Sequence, residues 1–279
     1  MAKLQIMLLG CGKMGSAMLK GWLADTSLDA QFTIIEPFAD HLYWVRAHQQ
    51  VAVHHDCEAA ISAEAPVNSV IVLAVKPQMM DEAIAAFGPL RDDKTAFLTI
   101  AAGISTAWLK ARLGADAPVL RAMPNTPAAI GRGVTALYCD SAAAELAALA
   151  TQLLRTIGTV VAIEDETLMD AVTAVSGSGP AYVFLMAEAM TAAGVSAGLP
   201  ETLAKQLAEA TITGAGALIE AADDAPAILR ENVTSKGGGR AAFAGHIFTQ
   251  NRWRVIRRFN HRTRPGNGGL SQLLGKRRW

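Results

Sequence analysis

Residues 10–15 read Gly10-Cys11-Gly12-Lys13-Met14-Gly15, three glycines in the spacing G-x-G-x-x-G. The spacing has mechanical meaning when a strand runs into it and a helix leaves it. Here Gln5–Leu9 reads as a short apolar strand and Ser16–Leu23 as a helix. The first glycine permits a tight turn. The second lets a pyrophosphate approach the backbone, and the third lets the helix pack close to its strand. The helix start then offers free N–H groups and the positive dipole end to phosphate. The pattern predicts a dinucleotide site.

Further residues with chemical potential lie where later strands end. In an open α/β sheet, ligands bind beyond the carboxyl ends of the strands. Glu36 closes the strand Phe32–Glu36. A carboxylate there accepts hydrogen bonds from both hydroxyls of an adenine-linked ribose, which favours NADH. Pro37, Phe38, Ala39 and Asp40 follow and offer no cation for a 2′-phosphate. NADH is therefore expected to bind at least as well as NADPH. Ala74-Val75-Lys76-Pro77 ends another strand, with Lys76 in reach of a cofactor phosphate or ribose. Ala101-Ala102-Gly103 leaves room for a flat ring. Arg121–Pro127 brackets the polar pair Asn125-Thr126 between prolines and reads as a rigid loop. Ser176-Gly177-Ser178-Gly179 precedes a long helix beginning near Pro180, and its hydroxyls and N–H groups form a nest for a carboxylate.

The elements that must position these loops follow from hydrophobic pattern. Ser69–Val75 is continuously apolar, as a parallel strand covered on both faces should be. Ala96–Ile100 and Pro118–Ala122 are further strands, and Val134–Cys139 and Thr159–Ile163 extend the series. Their alternation with helical stretches predicts an α/β Rossmann fold with a doubly wound parallel sheet. From residue 164 the pattern turns helical and alanine-rich. Ala181–Ala193 and Glu201–Ala222 are predicted as long helices, the second started by Pro200. The expected organisation is a Rossmann domain over 1–163, an all-helical domain over 164–238, and a basic tail without ordered structure over 239–279.

Composition narrows the function classes. No run approaches the roughly 20 apolar residues of a membrane span, since Glu188 interrupts the longest candidate. Cys11, Cys57 and Cys139 are scattered, which predicts reduced thiols in the cytoplasm and neither a disulfide framework nor a metal site. The formal net charge of zero hides an asymmetry: residues 239–279 hold ten of the 25 basic residues and none of the 25 acidic ones.

Taken together, these segments resemble the pyrroline-5-carboxylate reductases, which complete proline biosynthesis. The resemblance rests on GCGKMG at 10–15, LAVKPQ at 73–78, AAG at 101–103, RAMPNTP at 121–127, SGSGPAY at 176–182 and ENVTSKGG at 231–238. It implies an N-terminal Rossmann domain for NADH or NADPH, and a helical domain that forms a homodimer or higher homo-oligomer. It implies that Gly10, Cys11, Gly12, Lys13, Met14, Gly15, Glu36, Ala74, Val75, Lys76, Pro77, Ala102 and Asn125 line the cofactor site. Asp56 stands where many relatives place an asparagine on the adenosine ribose. Glu166, Ser176, Gly177, Ser178, Gly179, Asn232, Gly237 and Gly238 would face the substrate.

Reduction of a cyclic imine needs a hydride donor, a held carboxylate and a hydrogen-bond partner for the ring nitrogen, but no strong dedicated base. The histidines at 41, 48, 54, 55, 246 and 261 all avoid the segment 121–238. The helix after the glycine-serine turn begins Tyr182–Glu188 without a lysine, which a 3-hydroxyacid dehydrogenase would want as its base. That dehydrogenase is the alternative enzyme. A catalytically impaired cofactor binder, and a nucleic-acid binder acting through the tail, are alternatives of other classes. After Gly238 the family pattern stops. Arg240 stands where relatives carry a threonine near the imine nitrogen, and the acidic ending helices of the family are replaced by nine arginines and two tryptophans. A shifted reading frame from about residue 239 would account for both changes; a genuine basic tail, solvated or bound to nucleic acid, is the rival reading.

Overall fold

The computed structural model describes residues 3–63, 69–85, 87 and 95–233. Gly237, Gly238, Arg240 and the basic tail lie outside the described residues. The chain divides into two compact units, with the break between Gly177 and Ser178.

The first unit is built on a sheet of eight strands: β1 Leu4–Leu9, β2 Ala30–Ile35, β3 Val51–His54, β4 Ser69–Leu73, β5 Ala96–Thr99, β6 Val119–Met123, β7 Gly133–Cys139 and β8 Gly158–Ile163. Their spatial order is β3-β2-β1-β4-β5-β6-β7-β8. Side chains alternate strictly between two apolar clusters, because strand side chains have a period of two. Ile6 and Leu8 of β1, Val72 of β4 and Leu98 of β5 enter one cluster with Met18, Leu19 and Trp22 of helix α1 (Lys13–Ala24). Met7, Leu9, Ile71, Leu73 and Phe97 enter the other, with Met80 and Ile84 of α3 (Met80–Ala85) and Leu109 and Leu113 of α4 (Thr106–Leu113). Helices on both faces explain why the central strands read as unbroken apolar runs. A short helix, α2 (Cys57–Ala63), follows β3. Trp22 stacks on Phe32 with centroids 5.8 Å apart and donates from Nε1 to the Leu153 carbonyl at 3.0 Å, tying α1 to α5 (Ala147–Arg155).

The sheet departs from the sequence expectation in two places. β7 runs antiparallel to β6. The link between them, Pro124–Arg132, holds only a 3-10 turn at Thr126–Ile130, and a parallel return needs a crossover of a dozen residues or more. The helix α5 supplies such a crossover between β7 and β8, which are parallel. The sheet is thus mostly, not wholly, parallel. The second departure is β3, which the apolar pattern did not predict. Among the described residues its four residues pair only with β2, at the sheet edge, and they include a histidine.

The first unit also keeps residues 164–177, which the sequence pattern grouped with the helical domain. They form a 3-10 turn at Glu166–Leu168, helix α6 (Met169–Val172) and a π-helical turn at Thr173–Gly177. They stay with the sheet because Glu166 is bonded to α4 and β6. The second unit contains α7 (Gly179–Ser196), α8 (Glu201–Ala221) and α9 (Pro226–Asn232). Gly198, at φ +98°, turns the chain between α7 and α8. The two helices approach closely where Gly194 faces Ala204, and a Cβ at Gly194 would meet the Ala204 Cβ at 3.0 Å. Phe184, Leu207, Leu218 and Ile219 are exposed on this unit. No helix among the described residues is long and apolar enough to cross a membrane.

Candidate functional site

Register brings the chemical loops to one edge of the sheet. Leu9 pairs with both Ile35 and Leu73, and Leu73 pairs with Thr99. The segments that follow these residues, starting at Gly10, Glu36, Ala74 and Ile100, therefore leave β1, β2, β4 and β5 side by side. The chain runs from β1 through β2 and β3 on one side and then returns to β4 on the other side of β1, so this edge holds the switch point where such sheets bind ligands.

Each glycine of the loop has its own mechanical reason. Gly10 sits at φ +85°, and a Cβ there would meet the Ala74 carbonyl oxygen at 2.9 Å. A Cβ on Gly15 would collide with the Gly10 carbonyl oxygen, so this glycine sets how closely α1 approaches the loop. Gly12, the residue before α1, has ordinary φ of −67°, and a Cβ there would meet nothing within 4 Å. The open space over Gly12 at the start of a twelve-residue helix is a cradle that a side chain would fill. These residues therefore fit a dinucleotide pyrophosphate.

The backbone of Cys11 is gripped by three side chains. Its N–H donates to Glu36 Oε2 at 2.8 Å. Its carbonyl accepts from Ser16 Oγ at 2.7 Å and faces His41 Nε2 at 2.8 Å. The Cys11 side chain is buried, and burial above all pushes its thiol up to about 11. It is therefore a packing group, not a thiolate, at neutral pH. Glu36 is committed on both oxygens, because Oε1 accepts from the Phe38 N–H at 3.1 Å. A carboxylate has further lone pairs, so ribose hydroxyls can share it. The run of residues after Glu36 offers no cation as far as Asp40. The fold places the next residue, His41, on the same loop.

The remaining cofactor candidates fall at the same edge. Lys76 is exposed, has no ion-pair partner among the described residues, and precedes a 3-10 turn opened by Pro77. Ala74 and Val75 flank Gly10, and Gly103, at φ +80° with open space around it, follows the exposed Ala102. Lys13 is exposed and Met14 half-buried at the start of α1. Asp56 caps α2, accepting from the Ala59 N–H at 2.7 Å. Asn125 is buried and spans two segments: Nδ2 donates to the Ser176 carbonyl at 3.1 Å, and Oδ1 accepts from the Val134 N–H at 2.9 Å.

Glu166 sits in a cluster that sequence reading did not anticipate. Its carboxylate accepts from the Thr106 N–H at 2.9 Å, the Thr106 hydroxyl at 2.5 Å and Arg121 Nη1 at 2.8 Å. Burial by itself would raise the Glu166 pKa. The bonds from Thr106 and the Arg121 guanidinium outweigh it and leave the carboxyl below its ordinary value. A depressed carboxyl contributes stability that is complete above its unfolded pKa and is lost as pH falls through the folded one. Glu166→Ala leaves Arg121 buried without its partner, and is expected to destabilise the first unit by about 2–3 kcal/mol. Urea unfolding measures this, and the loss should shrink in acid. Unchanged unfolding together with a raised KM would show that Glu166 serves the substrate and not the frame.

The glycine-serine segment changes helical type as it runs. The π-helical turn Thr173–Gly177 meets α7 at Ser178, and such turns are frequent at functional sites. Ser176 Oγ donates to the Val172 carbonyl at 3.0 Å. Ser178 makes no side-chain cap to α7, and Gly179 has open space around it. Asn232 is exposed at the end of α9.

Comparison with known proteins matches two stretches of the chain. A family model for pyrroline-5-carboxylate reductase dimerisation matches residues 166–254. A model described as NADP oxidoreductase, coenzyme F420-dependent, matches residues 5–103. The chain is 38% identical over 236 residues to the pyrroline-5-carboxylate reductase of Pseudomonas aeruginosa, covering 84% of this chain and 85% of that one. It is 37% identical over 239 residues to that of Haemophilus influenzae, covering 85% and 86%. The structure of a pyrroline-5-carboxylate reductase from Coxiella burnetii superposes with a TM-score of 0.81 at 26% identity, covering 92% of this chain and 95% of that one.

Proposed function

Because the chain belongs to the pyrroline-5-carboxylate reductase family, we infer that its reaction is the NAD(P)H-dependent reduction of 1-pyrroline-5-carboxylate to L-proline. The observation that carries the reading is the open cradle over Gly12, set between two glycines that tolerate no side chain. Gly10–Gly15 and the start of α1 would hold the pyrophosphate, Glu36 the adenosine ribose, and Lys76 a phosphate or ribose oxygen. Bound there, NAD(P)H supplies the hydride that reduces the C=N bond, and a proton completes the amine.

The protein's own share is positioning and electrostatics. Ala102 and Gly103 leave space for a flat ring. Ser178 and the N–H groups about Gly177–Gly179 receive the substrate carboxylate at the uncapped start of α7. Glu166 acts through Thr106 and Arg121 to fix the frame. Open space at Gly179 permits a larger residue without refolding. Gly179→Val should raise KM for pyrroline-5-carboxylate by about tenfold and weaken proline binding to match, with NAD(P)H affinity little changed. Lost cofactor affinity with substrate affinity intact would assign this loop to the other ligand.

The exposed apolar side chains of α7 and α8 fit a homo-oligomer, with a dimer as the building block. The cytoplasm is the setting that three free cysteines suit. The deciding assay offers the purified protein pyrroline-5-carboxylate and a 3-hydroxyacid, each with both nicotinamide cofactors. Proline formation coupled to NAD(P)H oxidation is expected. Hydroxyacid oxidation without imine reduction would replace this reading with the dehydrogenase one.

A further inference from the structure

The ring of His41 is poised between two acceptors. Nε2 faces the Cys11 carbonyl at 2.8 Å, and Nδ1 faces the Phe38 carbonyl at 2.9 Å. A neutral imidazole has one donor and one acceptor nitrogen, so either tautomer turns a lone pair against a carbonyl oxygen. Only the imidazolium satisfies both contacts. The ring also joins two segments whose mutual placement shapes the nucleotide edge: the glycine loop after β1 and the turn after β2.

We propose that protonated His41 is a positioning residue for the dinucleotide, holding the Cys11 carbonyl while its charge offsets Glu36, so that cofactor affinity and tolerance of a 2′-phosphate follow its protonation. The proposal rests on the dinucleotide reading of this edge. Glu36 and His41 hold the two peptides that flank the Cys11 Cα, one at the Cys11 N–H and the other at the Cys11 carbonyl. The conformation of Gly10–Gly12 therefore depends on both. With the ring charged, Glu36 and His41 form a neutral pair beside the ribose. With the ring neutral, the Cys11 carbonyl loses a charge-assisted bond and Glu36 repels a phosphate unopposed.

The groups around the ring favour the charged state. Glu36 faces it from the end of β2 and Asp40 from its own turn, while the neighbouring Cys11 thiol stays uncharged. On α1 the nearby cation, Lys20, lies over the Trp44 ring at 5.1 Å. The Cys11 carbonyl contact raises the His41 pKa above the ordinary histidine value; burial, the next largest effect, opposes it, and Phe38, Glu36 and Asp40 add to the rise. The sign is then fixed. Cofactor binding is strongest below this raised pKa and falls as pH rises through it.

The test uses ADP-ribose and its 2′-phosphate as probes, which remove the nicotinamide and substrate from the measurement. Affinities are measured by calorimetry from about pH 6 to 9.5, a range that brackets a raised histidine, and the His41 ring is titrated by NMR in the same protein. Both probes should weaken as the ring deprotonates, the 2′-phosphate by about tenfold and ADP-ribose by less. H41Q, neutral at every pH, should show the weak, flat profile throughout, with an unchanged melting profile. E36Q should bind the 2′-phosphate more tightly and lower the His41 pKa. A pH dependence that survives in H41Q, or His41 titrating without any change in affinity, would overturn the role of His41 alone. Failure of the unaltered protein to bind either probe would overturn the nucleotide site itself.

Discussion

Gly12→Val should lower NADH and NADPH affinity by about a hundredfold or more, a loss of roughly 2.7 kcal/mol, in a protein that still folds. The asymmetry among the three loop glycines makes this a clean experiment. A side chain at Gly10 is strained by φ +85° and meets the Ala74 carbonyl. A side chain at Gly15 drives α1 off the loop. Either change would confuse lost binding with lost structure. Gly12 has φ of −67°, which any residue adopts, and empty space where its side chain would go. The folding cost is then confined to replacing a glycine at the helix start by valine, about a few tenths to 1 kcal/mol. The branched side chain occupies the place the pyrophosphate must enter. Equilibrium fluorescence titration with each cofactor, alongside a thermal melt, measures both quantities. A folded variant with unaltered affinity would remove the basis for the nucleotide site.

This edge was legible in the sequence because its information is local. The strand, the three glycines and the helix lie within about twenty residues, and spacing alone assigns a job to each. Long-range partners carry no such signature. Glu166 reaches Arg121 across 45 residues and Thr106 across 60, and no spacing rule joins them. Thr106 follows the helix cap Ser105, so it read only as the opening of a helix. The grip of His41 on Cys11 was hidden for the same reason, with 30 residues between them. A search for cations after Glu36 would have met it one residue beyond Asp40. The antiparallel turn of β7 was available from chain length. Nine residues separate Met123 from Gly133 and leave no room for a crossover helix. The two long helices of the second unit fell within a few residues of expectation, since Pro200 and Gly198 punctuate them sharply.

The ending of the chain leads to the second large effect. As it stands, the protein should bind NAD(P)H yet turn over pyrroline-5-carboxylate slowly. Replacing residues 239–279 with an acidic, threonine-containing helical ending of the family should raise kcat/KM by about a hundredfold. The expectation rests on two physical points. An arginine at position 240 introduces a large, permanent charge where the resemblance places a threonine beside the imine nitrogen. Placed there, its charge would disfavour the protonated imine, the better hydride acceptor, and a repulsion of about 2.7 kcal/mol in the transition state is a hundredfold in rate. The second point is coverage. Phe184 is 60% exposed, Leu218 52% and Ile219 53% on helices that need an apolar partner. A tail with nine arginines and no acid carries charge repulsion among its own residues, which opposes its packing on them. The chimera should therefore also change its mass in solution, from an undefined assembly to a discrete multiple of two. Arg240→Thr alone separates the two contributions, because it removes the charge and leaves the coverage as it was. If that single change restores most of the rate, the local charge is what limits turnover, and the rest of the ending acts on assembly. A discrete dimer with full reductase activity in the unaltered chain would refute both points and make the basic ending a working variant of the family's own.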